Sequence, residues 1–159
     1  MKINKCCFIG HRDILSNNIE RRLFDTINQV IQEDCSYFTM GTNGDFDSLA
    51  LYTCRQIKKI YPHIKIDVML TNLNLLKKDK YGSSKMEKYK DVDTYYFDVE
   101  NIHYKQKIIF SNKKMIDNCN ILICYVNTNK NPSGANIALK YAKTRGLKII
   151  NLFQSEFRE

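Results

Sequence analysis

Apolar residues recur along the chain in two alternating patterns. Short apolar runs predict buried strands at residues 5–9, 37–40, 65–70, 121–126 and 148–152, with a further short strand at 93–98. Longer stretches with helical spacing predict helices from Ser16, from about Asp47 to Pro62, over residues 104–118, and from about Gly134 to Gly146. The polar residues 71–92 predict a loop or lid rather than a core element.

Strands that alternate with helices of this length predict a parallel sheet with helices on both faces. The expected fold class is α/β, a Rossmann-like three-layer sandwich with a mostly parallel central sheet, in a single domain over residues 1–159. If the first strand is central, the chain reverses direction between it and the strand at 121–126, and a crevice opens there. The loops at residues 10–13, 41–47 and 127–136 would form its walls.

Lysine and arginine outnumber aspartate and glutamate by 25 to 17, which gives a formal net charge of +8. Such an excess attracts anionic partners, whether a nucleotide, RNA, DNA or an acidic surface. Much of it is lysine scattered over residues 77–90 and 105–114, which is more typical of a solvated face. The charge alone therefore selects no partner.

The six cysteines lack the paired spacing of a zinc site, and no secretory segment precedes the first strand. No apolar run approaches the roughly 20 residues needed to cross a bilayer. We therefore expect a cytoplasmic protein with reduced thiols, no membrane span, no metal and no cofactor.

The first loop carries Gly10, His11 and Arg12. Glycine lets a backbone pass close to a ligand, arginine offers a planar fork for phosphate or carboxylate, and histidine can donate a hydrogen bond or move a proton. Arg12 is the first candidate for ligand binding. The alternative is that Arg12 pairs with Asp13 or Asp47 and joins two loops, and a structural role suits His11 equally well.

The second loop contains Gly41 and Gly44, a turn that resembles a phosphate cradle, although GxxG turns are common. Asp47 can cap the second helix or accept hydrogen bonds from a ribose hydroxyl, and the sequence does not separate the two roles. Phe46 can stack on a base, but inward packing is the more common fate of such a residue.

The third loop opens the last helix with Ser133, Gly134 and Asn136. Backbone N–H groups and the helix dipole favour an anion at such a start, and the two polar side chains can add hydrogen bonds. A helix start without a ligand is the alternative. On the preceding helix, Asn112 and Asp117 could reach the crevice from the polar end, with cap or surface roles equally open.

Together these motifs resemble the YpsA-like group of the SLOG superfamily, Rossmann-like proteins related to the Lonely Guy phosphoribohydrolases and to the DNA-processing protein DprA. The similarity rests first on CCFIGHR at residues 6–12 and GTNGDFDSLA at residues 41–50. It continues over nearly the whole chain through Ser111-Asn112, Met115-Ile116-Asp117, the strand at 121–126, Ser133-Gly134 and Tyr141-Ala142-Lys143. The resemblance implies a sensor or regulator that binds a nucleotide or nucleotide-derived small molecule, and it suggests a homo-oligomer.

Two departures from the family pattern bear on activity. Ser111 stands where relatives usually have arginine, which removes one expected cation. Residues 132–138, PSGANIA, match the PGGxGTxxE motif of the Lonely Guy enzymes without its second glycine pair or its catalytic glutamate. Because phosphate binding can survive the loss of that carboxylate while hydrolysis cannot easily do so, we expect binding rather than catalysis.

Two other functions stay open from the sequence. A nucleotide N-glycosidic hydrolase acting on nucleoside monophosphates would need another carboxylate, and Asp47 and Asp117 are the candidates. Nucleic-acid binding would fit the net charge of +8 and the relationship to DprA, but no aromatic platform is interleaved with the basic residues, so it ranks last.

Overall fold

The computed structural model describes residues 4–13, 18–71, 80, 88–97, 103–129 and 133–153. Within these ranges the strands are β1 (Asn4–Gly10), β2 (Cys35–Met40), β3 (Lys65–Met69), β4 (Asp93–Tyr95), β5 (Ile121–Tyr125) and β6 (Lys148–Asn151). The helices are α1 (Ile19–Gln32), α2 (Asp45–Lys58), α3 (Tyr104–Asp117) and α4 (Gly134–Thr144). The predicted helix start at Ser16 and most of the polar segment 71–92 lie outside the described residues.

All six strands belong to one parallel sheet with the order β4-β3-β2-β1-β5-β6. The chain therefore starts in the middle of the sheet, moves outward through β2, β3 and β4, and crosses back to β5 on the other side of β1. β1 and β5 run side by side in continuous register from Cys6 opposite Ile121 to Gly10 opposite Tyr125. The predicted α/β class and the predicted reversal between these two strands are both confirmed.

Alternate residues of β1 supply two separate cores, as expected for a strand buried on both faces. Cys6 and Phe8 pack with α1 and α2, whereas Cys7 and Ile9 pack with α3 and α4. All four side chains have at most 4% of their surface exposed. The sheet is thus the middle layer of three. None of the described helices is long and apolar enough to span a membrane.

The end of α4 agrees with the sequence, whereas the buried side of α3 is limited to part of the helix. Gly146 adopts a φ of +77° just after α4, as the sequence predicts for a helix stop. In α3 the apolar residues Ile108 and Ile109 are only half-buried, while Ser111 is buried with Met115 and Ile116. The second half of α3 packs on the sheet, where Met115 and Ile116 belong to the core shared with α4.

Candidate functional site

Three loops meet at the carboxyl edge of the sheet, where the parallel strands β1, β2 and β5 end. The loop after β1 forms hydrogen bonds to both of the others. This is the edge at which open α/β sheets hold ligands, and β1 and β5 mark the reversal point of this one. The expected convergence of the three loops is therefore present.

The first and second loops are joined through their backbones. The N–H of Asp45, the first residue of α2, donates a 2.8 Å hydrogen bond to the carbonyl oxygen of Arg12. A Cβ atom on Gly44 would lie 2.6 Å from the Cα of Arg12, closer than real contacts permit. Gly44 is therefore required by the contact between the two loops themselves.

Gly10 is also explained by packing. A Cβ atom there would lie 2.5 Å from the ring of Phe46. That ring has no exposed surface and packs against Tyr125 and Phe8, with ring centroids 6.1 and 6.5 Å away. Phe46 thus takes the inward-packed alternative, and its ring is not available to stack on a base.

His11 connects the first loop to the third. Its N–H extends the sheet by donating to the carbonyl of Tyr125 at 3.1 Å, and its Nε2 accepts a 2.8 Å hydrogen bond from the N–H of Asn127. An imidazole that accepts at Nε2 is neutral and carries its proton on Nδ1. In this arrangement His11 positions the loop, which is the structural role that the sequence left open.

The third loop is tied to the start of α4 by a short hydrogen-bond network. The side-chain amide of Asn136 donates to the carbonyl of Asn127 at 3.3 Å and to Oγ of Ser133 at 3.3 Å. Ser133 is the N-cap of α4, and its Oγ accepts from the N–H of Asn136 at 3.2 Å. Beside Gly134, by contrast, no atom of the described residues outside its own helix turn lies within 4 Å of the position where a Cβ would stand.

The side chain of Arg12 is exposed at the carboxyl edge of the sheet. Within the described part of the chain, no ion pair joins its guanidinium to Asp13 or to Asp47. The alternative in which Arg12 ties two loops by a salt bridge is therefore wrong for these residues, because the backbone hydrogen bond from Asp45 makes that connection instead.

Asp47 folds back over the turn that precedes α2. Its Oδ2 accepts a 2.9 Å hydrogen bond from the N–H of Asn43, whose own side-chain oxygen accepts from the hydroxyl of Thr71. Burial raises the pKa of Asp47 to about 6, and hydrogen bonds from the backbone of Asn43 and Gly41 oppose that rise. Gly44, rather than Asp47, occupies the N-cap position.

Asp117 does not belong to this site. A helix that connects parallel strands starts at the carboxyl edge and ends at the amino edge, and Asp117 is the last residue of α3 before β5. There it accepts a 2.6 Å hydrogen bond from the hydroxyl of Tyr141 and lies 3.2 Å from Arg145. Asn112 is half-buried in the second half of the same helix, away from its start at the carboxyl edge. The expectation that this pair reaches the crevice is wrong for Asp117, which takes the surface role.

Sequence reasoning did not single out Asn127, Asn43 or Thr71, although all three hold the loops in place. The available signal was their position, since each is a polar residue that directly or closely follows a buried strand.

Among the described residues, no group of three or more histidine, cysteine, aspartate or glutamate side chains is arranged to hold a metal ion. Comparison of the chain with models of known protein families and with curated proteins returned no match.

Proposed function

We propose that this chain binds a nucleotide or a nucleotide-derived small molecule at the carboxyl edge of the sheet and acts as a sensor or regulator. The phosphate lies between Arg12 and the start of α4, and the ribose lies toward Asp47. The observation that carries the proposal is the hydrogen-bonded junction of the Arg12 loop with the loop that leads into α4. The resemblance to the YpsA-like group supports the same ligand class.

The start of α4 favours an anion for two reasons. The first backbone N–H groups of a helix lack partners inside the helix, and the dipole adds partial positive charge there. Ser133 satisfies one of these groups, that of Asn136, and the first turn contains no acidic residue. The exposed guanidinium of Arg12 supplies the planar donor that binds phosphate most strongly.

Asp47 supports a sugar contact rather than hydrolysis. One of its oxygens already accepts the Asn43 N–H, but an ionised carboxylate has further acceptor capacity for a hydroxyl. A hydrolase would need this carboxylate to be available for acid–base work or for stabilising positive charge on the sugar. Since Asp117 is at the opposite edge, no second carboxylate from our candidate pair can assist it.

Isothermal titration calorimetry with AMP, ADP and ADP-ribose tests the proposal, with adenosine as the ligand that lacks phosphate. We expect the phosphorylated ligands to bind more tightly than adenosine and Arg12→Ala to weaken them about tenfold or more, which is about 1.4 kcal/mol. Arg21→Ala is the matched control, because it removes an exposed arginine from α1 on another part of the surface.

Two results would count against this function. If Arg12→Ala lowers the melting temperature strongly and leaves nucleotide affinity unchanged, Arg12 is a structural residue. If the purified protein releases adenine from AMP and Asp47→Asn abolishes that release, the hydrolase is the correct function.

A further inference from the structure

The topology covers the two faces of the sheet unequally. On one face, α1 and α2 pack over the half of the sheet that contains β1, β2 and β3. On the other face, α3 and α4 pack against each other and against β1. A strip of β2 and β3 next to α3 therefore forms a groove, separate from the loops at the carboxyl edge.

This groove is a cavity of about 280 Å³. Its walls include the rings of Tyr37, Tyr95 and Phe97, and its polar and charged lining includes Lys5, Thr39 and Asp67. The volume is near the lower end of the range for small-molecule sites, roughly 300–1,000 Å³, so it suits a ligand of one or two rings.

The strand register fixes the charges around the groove. One row across β1, β2 and β3 reads Lys5, Tyr37, Lys65, and the two ammonium groups lie 5.0 and 5.8 Å from the centroid of the tyrosine ring. The next row toward the carboxyl edge places Thr39 beside Asp67 and Asp67 beside Asp93. The cations thus lie on the amino-edge side of the groove.

Asp67 is the half-buried charge of this second row. Burial raises its pKa, repulsion from Asp93 raises it further, and Lys5 and Lys65 act in the opposite direction. No hydrogen bond joins its carboxylate to another residue in the part of the chain that the structure describes. The neighbouring hydroxyls of Thr39 and Tyr95 are instead bonded to each other at 2.6 Å.

We propose that this groove binds a small aromatic cation, with its N–H donors on Asp67 and its ring against Tyr95 and Phe97, away from the two lysines on Tyr37. A carboxylate accepts charge-assisted hydrogen bonds from an amidinium or ammonium group, and aromatic faces attract the same positive charge. Lys5 also lines the groove, but it lies one row nearer the amino edge than Asp67, with its ammonium group over the ring of Tyr37, so we place the cation at Asp67 and Tyr95. The site is independent of the proposed nucleotide site, because it shares none of its residues.

Benzamidine is the probe for this site, since it joins one aromatic ring to a planar cation. Benzamide is its neutral counterpart, and guanidinium is a planar cation without the ring. In ¹H–¹⁵N NMR titrations of the whole chain, we expect saturable shifts at Tyr37, Thr39, Asp67 and Tyr95 with benzamidine. We expect affinities at least about tenfold lower for benzamide and for guanidinium, a difference of about 1.4 kcal/mol.

Asp67→Asn should reduce benzamidine affinity about tenfold or more, again about 1.4 kcal/mol. Asp25→Asn, the same change at an exposed position of α1, should leave it unchanged. Asp67→Asn also removes the repulsion from Asp93, so we expect it to fold, which circular dichroism can verify. The proposal is overturned if benzamidine causes no saturable shifts at the groove, if benzamide binds wild type equally well, or if folded Asp67→Asn retains full affinity.

Discussion

Two of the helices that begin at the carboxyl edge, α2 and α4, start in opposite chemical surroundings. The first turn of α2 contains Asp45 and Asp47, and its N-cap Gly44 touches the backbone of Arg12. The first turn of α4 contains no acidic residue, its N-cap Ser133 accepts a hydrogen bond from a backbone N–H, and no described residue outside that turn crowds Gly134.

This difference separates two glycine-bearing turns that look alike in the sequence. At α2 the protein supplies its own negative charge and its own packing partner, so an added phosphate would meet two carboxylates. At α4 neither is present in the first turn. For the function proposed above, the comparison favours α4 over α2 as the phosphate position and leaves α2 a structural or sugar-binding role.

The largest expected effect is a difference in stability between two glycine substitutions. Gly44→Ala should lower the free energy of unfolding by about 3 kcal/mol, because its Cβ would lie 2.6 Å from a backbone atom that has little freedom to move. Gly134→Ala should change it by less than about 0.5 kcal/mol, since no described residue outside the same helix turn lies within 4 Å of the added Cβ. Urea unfolding measures both, and equal costs would contradict the contrast between a closed and an open turn.

A second prediction concerns the pH dependence of stability at α2. The pKa of Asp47 is raised to about 6 in the folded protein, against roughly 3.9 for an unfolded chain. The folded state therefore holds more protons between these values, and the contribution of this group to stability falls as pH rises from about 4 to about 6.

Asp47→Asn removes that contribution while its amide oxygen can still accept the Asn43 N–H. The stability of this variant relative to wild type should rise by about 2 kcal/mol between pH 4 and pH 7. Asp45→Asn, an exposed neighbour in the same turn, is the control and should show no such rise. A flat difference for Asp47→Asn would mean that burial does not perturb this carboxyl group.

The sequence predicted the fold well because strand and helix periods are local properties. The apolar runs identified all five of the longer strands that the structure describes. The central position of β1 was a condition of the sequence-based interpretation, and the strand order confirms it. The sequence also singled out Gly10 and Gly44, but it did not reveal why glycine is needed at these positions. Both leave room for other parts of the protein, Phe46 and Arg12, which no local pattern reveals.

Other parts of the site depend on facts that are not local. Asp117 is the exception, because the predicted parallel sheet already implies that a helix leading into a strand ends at the amino edge, and the parallel pairing of β5 with β1 confirms that position. The groove over β2 and β3 depends on the register of three strands that are far apart in the chain. Asp47 could have been a cap or a ligand contact, and only its hydrogen bond to Asn43 reveals a third role.

The most direct test of the phosphate position at α4 is a calorimetric titration of Gly134→Asp with ADP. An acidic residue in the first turn favours the free helix, so the variant should be as stable as wild type. Its affinity for ADP should fall about tenfold, or about 1.4 kcal/mol, while the uncharged Gly134→Asn should bind nearly as well as wild type. If wild type and Gly134→Asp bind ADP equally tightly, the start of α4 does not hold the phosphate and the central claim is wrong.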